Sequence, residues 1–453
     1  MPILPLSCGE PAAAFRGLAG QPWAMLLDSA AVDSQRGRYA VIVAEPAAVM
    51  EAWGDKAYID GALQAGDAFT VLETALAAGG DGAERPPAGA PFHGGAVGFL
   101  GYELGALAEP KLRSRHPNPA NLPDMALGIY DCGAVFDLIE RRAWVFFATP
   151  GAEGRAQRLK ARLEAPPSPQ CQPPAAAWRA EIPRDDYLDR VARIRAYIAA
   201  GDICQANFTQ RFLADATAGR DPYALYQRLR GLSPAPFAAF LNCGPGLQIA
   251  SASPERFFNV DSVRGMEARP IKGTIARGGD PATDAAAAAA LRASVKDRAE
   301  NLMITDLLRN DLGKTAELGS VRVPTLYGLE SFAEVHHLVS VVTARLKLGL
   351  GPLDALRAAF PGGSITGAPK LRAMQIIDEL EAARRGPYCG SVVRIGFDGV
   401  MDASIIIRTL TISAEGVIAQ AGGGIVADSD PAAEYDEMRL KARALLRVLQ
   451  EDA

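Results

Sequence analysis

The side chains best suited to catalysis lie in the second half of the sequence. SPERF (253–257) and RPIKGT (269–274) place a carboxylate, Glu255, and a lysine, Lys272, within one predicted hairpin. A salt bridge between the two is one interpretation of this pairing. The other is a general acid next to a nucleophilic or basic amine, a combination that active sites obtain by shifting both pKa values.

Two glutamates, Glu300 in RAENLMITDLLRND and Glu437 in AAEYDEMRLKA, lie near the N-termini of predicted helices. The helix dipole favours acidic side chains there, and Glu437 would pair with Lys441 one turn later, which makes solvated helix residues the simpler interpretation. The alternative is that both carboxylates converge on a hard divalent cation, which needs few protein ligands and leaves room for substrate oxygens.

Two glycine-rich turns and a pair of histidines are also candidates. PGGSITGAPK (361–370) and QAGGGIV (420–426) could present backbone N–H groups to an anion, although neither matches a P-loop or a Rossmann fingerprint. Taken singly, both are also explained as structural turns. The adjacent His336 and His337 precede an apolar run and are either satisfied strand residues or functional groups.

The elements that must position these residues are helices and short strands in irregular order. Helical periodicity predicts helices over about 185–200, 297–312, 368–385 and 431–450, and a surface helix around the alanine run at 285–290. Apolar runs predict strands in YAVIVAEP, RRAWVFFATP, RFFNV, SVRVP, HLVSVVTARL, SVVRIGF and ASIIIRTLTIS. Because helices and strands do not alternate strictly, the sequence favours an α+β fold with antiparallel sheet.

Proline-rich stretches divide the chain. Residues 79–91 are predicted to form an exposed loop and residues 165–177 a linker, because clustered prolines neither continue a helix nor donate to a sheet. We therefore expect a strand-rich first lobe over 1–165 and a second, catalytic domain over 180–453.

Composition excludes several classes of protein. The net charge is −5 with no basic tract, which does not indicate a nucleic-acid surface. No apolar run approaches the roughly 18 residues of a membrane span, and the N-terminus has no basic region before an apolar stretch, as a secretory signal would. The six cysteines are scattered without a CxxC pair, so structural zinc is not expected. We expect a cytoplasmic protein with reduced thiols.

The motifs together resemble one known family of enzymes that use chorismate. Its branches make anthranilate, 4-amino-4-deoxychorismate, isochorismate or salicylate. The resemblance covers nearly the whole chain and rests on an ordered series of segments: GDICQANFTQ, SPERF, RPIKGT, ENLMITDLLRNDLGK, HHLVSVV, GGSITGAPK, RGPYCGS, IIIRT and AGGGIVADSDP. It implies the fold of the anthranilate-forming large subunits, an α+β sandwich of large, mainly antiparallel sheets surrounded by helices.

The resemblance also implies roles for individual residues. Glu300 and Glu437 match glutamates that bind Mg²⁺, which grips the ring carboxylate of chorismate. Glu255 matches the general acid that acts on the departing C4 hydroxyl, and His337, rather than His336, matches the catalytic histidine. The positions that match chorismate-binding residues are Gly273, Thr274, Tyr388, Arg408, Gly422, Gly423 and Gly424.

The branch of the family is indicated mainly by Lys272. Members that aminate at C2 or add water usually have PIAGT, whereas this chain has PIKGT, as in the branch that aminates chorismate at C4 towards p-aminobenzoate and folate. In that branch the lysine is proposed to attack C2 while hydroxide leaves C4. Gln205 stands where the isochorismate and salicylate branches usually carry a water-activating lysine. The anthranilate branch, which has Ala in place of Gly423, remains the alternative.

A second ligand is implied in the first lobe. LLDSA (26–30), RGRY (36–39) and SPAPF (233–237) match segments that form a tryptophan pocket in the family. Core packing is the alternative, because aromatic and proline residues fill cores in any protein. The residues concerned are Ser29, Arg36, Gly37, Arg38, Tyr39, Pro236 and Phe237.

The source of nitrogen is expected to be a second protein. None of the six cysteines lies in a glutaminase-like Cys–His–Glu setting, which implies a separate glutamine amidotransferase subunit and thus a heterodimer. The chain has no segment expected to hold a lyase, so its product should be aminodeoxychorismate itself. A catalytically silent tryptophan-sensing subunit is the alternative from another class, and the intact set of candidate catalytic residues argues against it.

Overall fold

The fold is seen in a computed structural model. It describes residues 3–7, 9–32, 36–83, 91–166, 169, 175–215, 221–331 and 335–450. Most of the predicted loop at 79–91 and of the predicted linker at 165–177 lies outside these ranges.

The helices within the described residues are α1 (Pro11–Phe15), α2 (Ala68–Gly79), α3 (Glu153–Leu163), α4 (Arg184–Ala199), α5 (Pro222–Leu232), α6 (Pro281–Ala293), α7 (Val295–Gly313), α8 (Pro352–Ala359), α9 (Lys370–Leu380) and α10 (Pro431–Arg447). Short 3₁₀ helices cover Tyr102–Leu107, Pro110–Leu112, Pro150–Ala152 and Gly363–Ile365.

The first twelve strands are β1 (Ile3–Pro5), β2 (Met25–Asp28), β3 (Tyr39–Val43), β4 (Ala48–Trp53), β5 (Lys56–Ile59), β6 (Ala62–Leu63), β7 (Gly95–Leu100), β8 (Met125–Tyr130), β9 (Cys132–Asp137), β10 (Arg142–Phe147), β11 (Arg179–Ala180) and β12 (Gln205–Ala214). The remaining strands are β13 (Phe237–Asn242), β14 (Leu247–Ser253), β15 (Arg256–Val260), β16 (Gly265–Ala268), β17 (Ile271–Ala276), β18 (Arg322–Ser331), β19 (Val335–Arg345), β20 (Gly367–Ala368), β21 (Ser391–Gly396), β22 (Met401–Ile405), β23 (Thr409–Ser413) and β24 (Gly416–Ile425).

Within the described ranges these strands form two sheets of twelve strands each. The first sheet has the order β1-β10-β9-β3-β2-β13-β14-β23-β24-β12-β11, with β20 also on β12. The second has the order β17-β19-β16-β15-β22-β21-β7-β8-β4-β5-β6, with β18 also on β19. The recorded strand pairs are antiparallel, for example β12 with β24 and β17 with β19, and the expected α+β class is confirmed.

The two sheets pack face to face between outer layers of helices. Alternate residues of a strand point to opposite faces, and both faces of the central strands are buried. On β3, Val41 and Val43 join the core between the sheets, whereas Ala40 and Ile42 join the core under the helices of the first sheet. This double burial explains why these strands are continuous apolar runs rather than alternating ones.

Both halves of the sequence contribute to both sheets. In the first sheet β2 pairs with β13, and in the second β7 pairs with β21. The division at about residue 165 therefore separates two stretches of sequence that both contribute strands to each sheet. The predicted domain boundaries stay a prediction. No helix within the described residues is long and apolar enough to cross a membrane.

Two predicted elements differ from the observed ones. Helix α9 ends at Leu380 instead of continuing to 385, because Glu381 turns extended and its carboxylate is held by Arg385 and the N–H of Thr209. The run ASIIIRTLTIS, predicted as one strand, is divided between β22 in the second sheet and β23 in the first, with Arg408 between them at a φ of 52°.

Candidate active site

The candidate site lies where the chain crosses between the two sheets. Pro254 and Glu255 connect β14 of the first sheet to β15 of the second. The Ser253 hydroxyl donates to the carbonyl of Ile405, 2.6 Å away, and the N–H of Ile405 donates to the carbonyl of Glu255 at 3.1 Å. These bonds hold the Glu255 crossing beside the second crossing, between β22 and β23.

Glu255 and Lys272 are brought together, but not as neighbours in one hairpin. Lys272 lies on β17, and Glu255 directly precedes β15. Strands β19 and β16 lie between β17 and β15 in the sheet. Burial raises the pKa of the Glu255 carboxyl. A hydrogen bond from Ser364 and the positive charges of Lys272 and Lys441 act in the opposite direction but do not cancel this shift. A partly buried carboxyl with a raised pKa is better able to keep a proton for transfer to a leaving group.

Lys272 lies in an irregularity of strand β17. The register of β17 on β19 shifts between Ile271 and Thr274, so Lys272 and Gly273 form a bulge, and Gly273 has a φ of 79°. A bulge re-aims the side chain that it carries. The Lys272 charge acts on Glu255 and also on Glu437 of α10, so the lysine faces the same space as both carboxylates.

His337 belongs to this group of residues, and His336 does not. His337 pairs with Thr274 across the strands, with Nδ1 2.8 Å from the threonine Oγ1. Burial, with the charges of Arg36 and Arg408, lowers the pKa of His337 to about 4, so the ring is neutral near pH 7. His336 points to the opposite face of β19, where it is buried against Asp284.

The two predicted metal ligands, Glu300 of α7 and Glu437 of α10, flank a shared lysine. Lys296 lies 4.0 Å from a Glu300 oxygen, and its charge acts on Glu437 as well. Lys441 forms the expected ion pair with Glu437, at 2.7 Å. Burial alone would raise the pKa of Glu437, but the charges of the nearby lysines outweigh it and the pKa is lowered.

These carboxylates suit a hard cation that is only partly enclosed by protein. No group of three or more His, Cys, Asp or Glu within the described ranges is arranged to hold a metal ion. Mg²⁺ is commonly bound by one or two carboxylates and completes its coordination with water and substrate oxygens. Two glutamates with space beside Gly423 therefore fit Mg²⁺ as a metal held jointly with a substrate.

The glycines of β24 leave space on both faces of that strand. A Cβ at Gly423 would lie 3.2 Å from a carboxylate oxygen of Glu434, and one at Gly424 would lie 3.0 Å from Nε2 of Gln205. Because consecutive strand residues face opposite sides, the missing side chain of Gly423 leaves space beside the carboxylates for a ligand, whereas Gly424 makes room for Gln205 on the other face. Gln205 is fully buried, and neither polar atom of its amide has a hydrogen-bond partner.

Arg408 lies on the second crossing, between β22 and β23, and Tyr388 lies near it. Arg408 is partly buried, its pKa is lowered by desolvation, and its charge acts on both Tyr388 and His337. Burial raises the pKa of Tyr388 well above its usual value, so the phenol stays protonated as a hydrogen-bond donor. A partly buried guanidinium is suited to a substrate carboxylate.

Two residues of the site were not predicted as functional. Glu434 is buried on α10 with its carboxylate 2.7 Å from the Ser429 hydroxyl, and Lys441, expected only as an ion-pair partner, also donates to the Gly422 carbonyl at 3.2 Å. They stand three residues before and four after Glu437, which puts all three on one helical face. That spacing was the available signal for both.

The residues predicted for a tryptophan pocket line one cavity of about 1120 Å³ between the sheets. Gly37 is not part of its wall. Arg36 forms an ion pair with Glu330, and Arg38 with Asp137, each at 2.7 Å, so both guanidinium groups already face protein carboxylates. The predicted residues in the wall are Ser29, Arg36, Arg38, Tyr39, Pro236 and Phe237.

The fold and these residues define a class of enzyme. A family model described as chorismate binding enzyme matches residues 27–447. The chain belongs to this family of chorismate-binding enzymes, as the sequence resemblance predicted.

Individual relatives narrow the comparison. Aminodeoxychorismate synthase component 1 of Klebsiella aerogenes is 44% identical over 440 residues, which cover 96% of each chain. Anthranilate synthase component 1 of Streptomyces coelicolor is 39% identical over 461 residues, covering 97% of this chain and 86% of its own. The crystal structure of anthranilate synthase component I from Streptococcus pneumoniae superimposes with a TM-score of 0.81 at 30% identity, covering 92% of this chain and 93% of its own.

Proposed function

We propose that this protein aminates chorismate at C4 to form 4-amino-4-deoxychorismate, on the route to p-aminobenzoate and folate. The observation that carries the proposal is the position of Lys272, on a bulge whose lysine faces the partly buried acid Glu255. The similarity to aminodeoxychorismate synthase component 1 supports it. Overall identity alone separates the two aminating branches weakly, since the anthranilate synthase relative is 39% identical.

The reaction divides into two displacements on the ring. The amine of Lys272 bonds to C2 while the C4–O bond breaks, and Glu255 gives its proton to the departing hydroxyl, which leaves as water. Ammonia then bonds to C4, the C2–N bond breaks, and the lysine amine is restored. The raised pKa of Glu255 favours the protonated acid that the first displacement needs.

The remaining residues bind and orient the substrate. Arg408 and the phenol of Tyr388 recognise carboxylate oxygens, while the neutral ring of His337 fixes the hydroxyl of Thr274. Glu300 and Glu437 would hold Mg²⁺, which neutralises the charge of the ring carboxylate when bound. Gly423 would leave room for the ring beside the carboxylates of α10.

Ammonia is supplied by a glutamine amidotransferase partner, and the relative's designation as component 1 supports a second component. Among the described cysteines, Cys132, Cys243 and Cys389 are buried, and burial raises the pKa of each thiol, to about 12 for Cys389. A thiol with so high a pKa is a poor nucleophile for glutamine. The unpaired state of the described thiols is consistent with a reducing cytoplasm.

Tryptophan is the proposed ligand of the cavity between the sheets. Tyr39 and Phe237 supply aromatic surface for an indole, and the Ser29 hydroxyl, which donates to the Tyr39 carbonyl at 2.7 Å, lies in the same wall. Because Arg36 and Arg38 are engaged by carboxylates, the amino acid would be recognised mainly by its ring.

The proposal is tested by Lys272→Ala. We expect the variant to fold normally and to lose at least about two orders of magnitude in the rate of aminodeoxychorismate formation, as expected when a nucleophile is removed. Lys347→Ala removes an exposed lysine on a turn and is the matched control. Turnover like that of the wild type in Lys272→Ala would remove the lysine from the mechanism, and a small loss would reduce it to an assisting group.

A further inference from the structure

Helix α6 covers the bulge that carries Lys272, although it has few apolar anchors. It is alanine-rich and largely exposed, and its buried residue is Leu291. That side chain packs on the bulge, since a Cβ at Gly273 would come within 2.9 Å of Leu291 Cδ1. One leucine is a weak attachment for a thirteen-residue helix, because burial of a leucine contributes only about 2 kcal/mol.

A polar contact supplies a second attachment. Asp284 of α6 accepts from Nε2 of His336 at 2.9 Å, and Nδ1 of the same ring lies 2.8 Å from the Ser331 hydroxyl of β18. Asp284 also accepts from Arg277 and from the N–H of Gly278, directly after β17. The carboxylate therefore ties α6 to all three strands of this edge of the sheet.

The buried ring fixes the direction of these bonds. A carboxylate only accepts, so Nε2 carries the proton towards Asp284, and in the neutral ring Nδ1 then accepts from the Ser331 hydroxyl. His336 is 3% exposed, so water replaces neither bond easily. The order Asp–His–Ser also occurs in hydrolases, but there Nε2 faces the serine, and here Arg277 occupies the carboxylate as well.

We infer that Asp284, His336 and Ser331 form a pin that positions the catalytic bulge for amination. His336 is the chain neighbour of His337 and lies opposite Ile275, next to Thr274 on β17. Holding α6 through this pin presses Leu291 onto Gly273 and keeps Lys272, Thr274 and His337 in one arrangement. The three residues do not touch the substrate and are positioning residues.

The inference rests on the proposed function only in so far as Lys272 and His337 are working groups. Loss of the pin should therefore lower kcat more than it weakens chorismate binding. Arg408, Gly423 and the carboxylates proposed to bind the metal all lie on other elements. Loss of the pin should also increase the mobility of α6 and of β17 whether or not chorismate is the substrate.

The experiment uses Asp284→Ala, His336→Leu, their double variant and Asp284→Asn in the full chain. Each of the first two should lower kcat about tenfold or more, with KM for chorismate within about twofold, and Asp284→Ala should lose at least as much as His336→Leu because it also removes the contacts with Arg277 and Gly278. The loss in the double variant should be far smaller than the product of the two single losses, because both substitutions remove the contact between Asp284 and His336. Asp284→Asn keeps an acceptor for His336 and should recover most of the rate.

Hydrogen exchange provides the second measurement. Amides of residues 271–293 should exchange faster in Asp284→Ala and His336→Leu, with other segments unchanged. Arg292→Ala, on the exposed side of α6, is the matched control and should change neither rate nor exchange.

Unchanged kcat in the two single variants, or losses that add in the double variant, would overturn the pin. If the wild type forms no aminated product, the proposed function fails, while the exchange data still decide the pin.

Discussion

Burial shifts the pKa values of the two acid–base candidates, Glu255 and His337, in opposite directions, and in both cases it favours the neutral form. It raises the pKa of the Glu255 carboxyl and lowers the pKa of His337 to about 4. Burial disfavours whichever form is charged, so it shifts both groups towards their neutral forms, and His337 is neutral near pH 7. A protonated acid and a neutral imidazole are the forms required to release a hydroxyl and to hold the Thr274 side chain.

His337 should make stability depend on pH. The unfolded histidine has a pKa of 6.5 and the folded one about 4, so the unfolded state binds more protons between these values. The contribution of His337 is therefore complete above 6.5 and is lost as the pH falls towards 4, by at most about 2 kcal/mol at pH 5, since the ring is partly exposed. Denaturant unfolding of wild type and His337→Gln measures this, and their difference in unfolding free energy should shrink on acidification. A pH-independent difference would contradict the shifted pKa.

Much of the site could be predicted residue by residue from the family motifs, because the functional groups sit in short, recognisable segments. Glu255, Lys272, His337 and Glu437 are brought together as the motifs imply, although their roles remain predictions. Glu434 and Lys441 were passed over because a single carboxylate or lysine on a helix is explained by solvation. Glu434 and Lys441 make their contacts with β24, which lies opposite them only in the folded protein.

Among the secondary-structure elements, the bulge of β17 matters most for the proposed chemistry. Gly273 has a φ of 79° and is packed against Leu291 of α6 and Asp297 of α7, each 2.9 Å from where a Cβ would lie. Glycine is the residue that adopts this conformation without strain and leaves space for both neighbours.

Gly273→Ala should therefore destabilise the protein by at least about 1 kcal/mol and lower kcat/KM for chorismate, because the bulge must shift with the lysine on it. Thermal unfolding and steady-state kinetics measure both effects. Gly231→Ala, in helix α5 with nothing within 4 Å of the added methyl group, is the matched control and should be neutral or stabilising. Equal behaviour of the two variants would show that the bulge tolerates a side chain.

The boundaries of elements could be predicted where local patterns decide them. Helices α4 and α10 and strand β15 lie close to their predicted ranges. The run from 403 to 413 was predicted as one strand because its apolar residues are continuous. The break at Arg408 follows from the passage between two sheets, and no local pattern in the run signals it.

At the scale of the whole molecule, the site depends on both sheets. The site residues that come from the first sheet and those that come from the second lie beside two of the crossings between the sheets, at Glu255 and at Arg408. The pairing of β2 with β13 and of β7 with β21 joins residues more than two hundred positions apart. Such register is set by packing of the complete sheets and could not be derived from the sequence pattern.

The nitrogen source that the isolated chain accepts tests whether a second subunit is needed. Purified alone, the chain should use ammonium salts with chorismate and Mg²⁺, better at alkaline pH where more ammonia is unprotonated, and should release no glutamate from glutamine. Glutamine-dependent activity should appear when a glutamine amidotransferase subunit is added. Sustained glutamate release by the isolated chain would reveal a glutaminase within it and refute the two-subunit assembly.

The most direct test of the account is the product formed from chorismate by the purified chain with Mg²⁺ and an ammonium salt. Mass spectrometry and fluorescence distinguish the candidates, because anthranilate is aromatic and fluorescent, whereas 4-amino-4-deoxychorismate is not aromatic and keeps its enolpyruvyl group. We predict the C4-aminated product, with loss of its formation in Lys272→Ala. Accumulation of anthranilate as the main product would contradict the assignment of Lys272 and place the chain in the branch that aminates at C2.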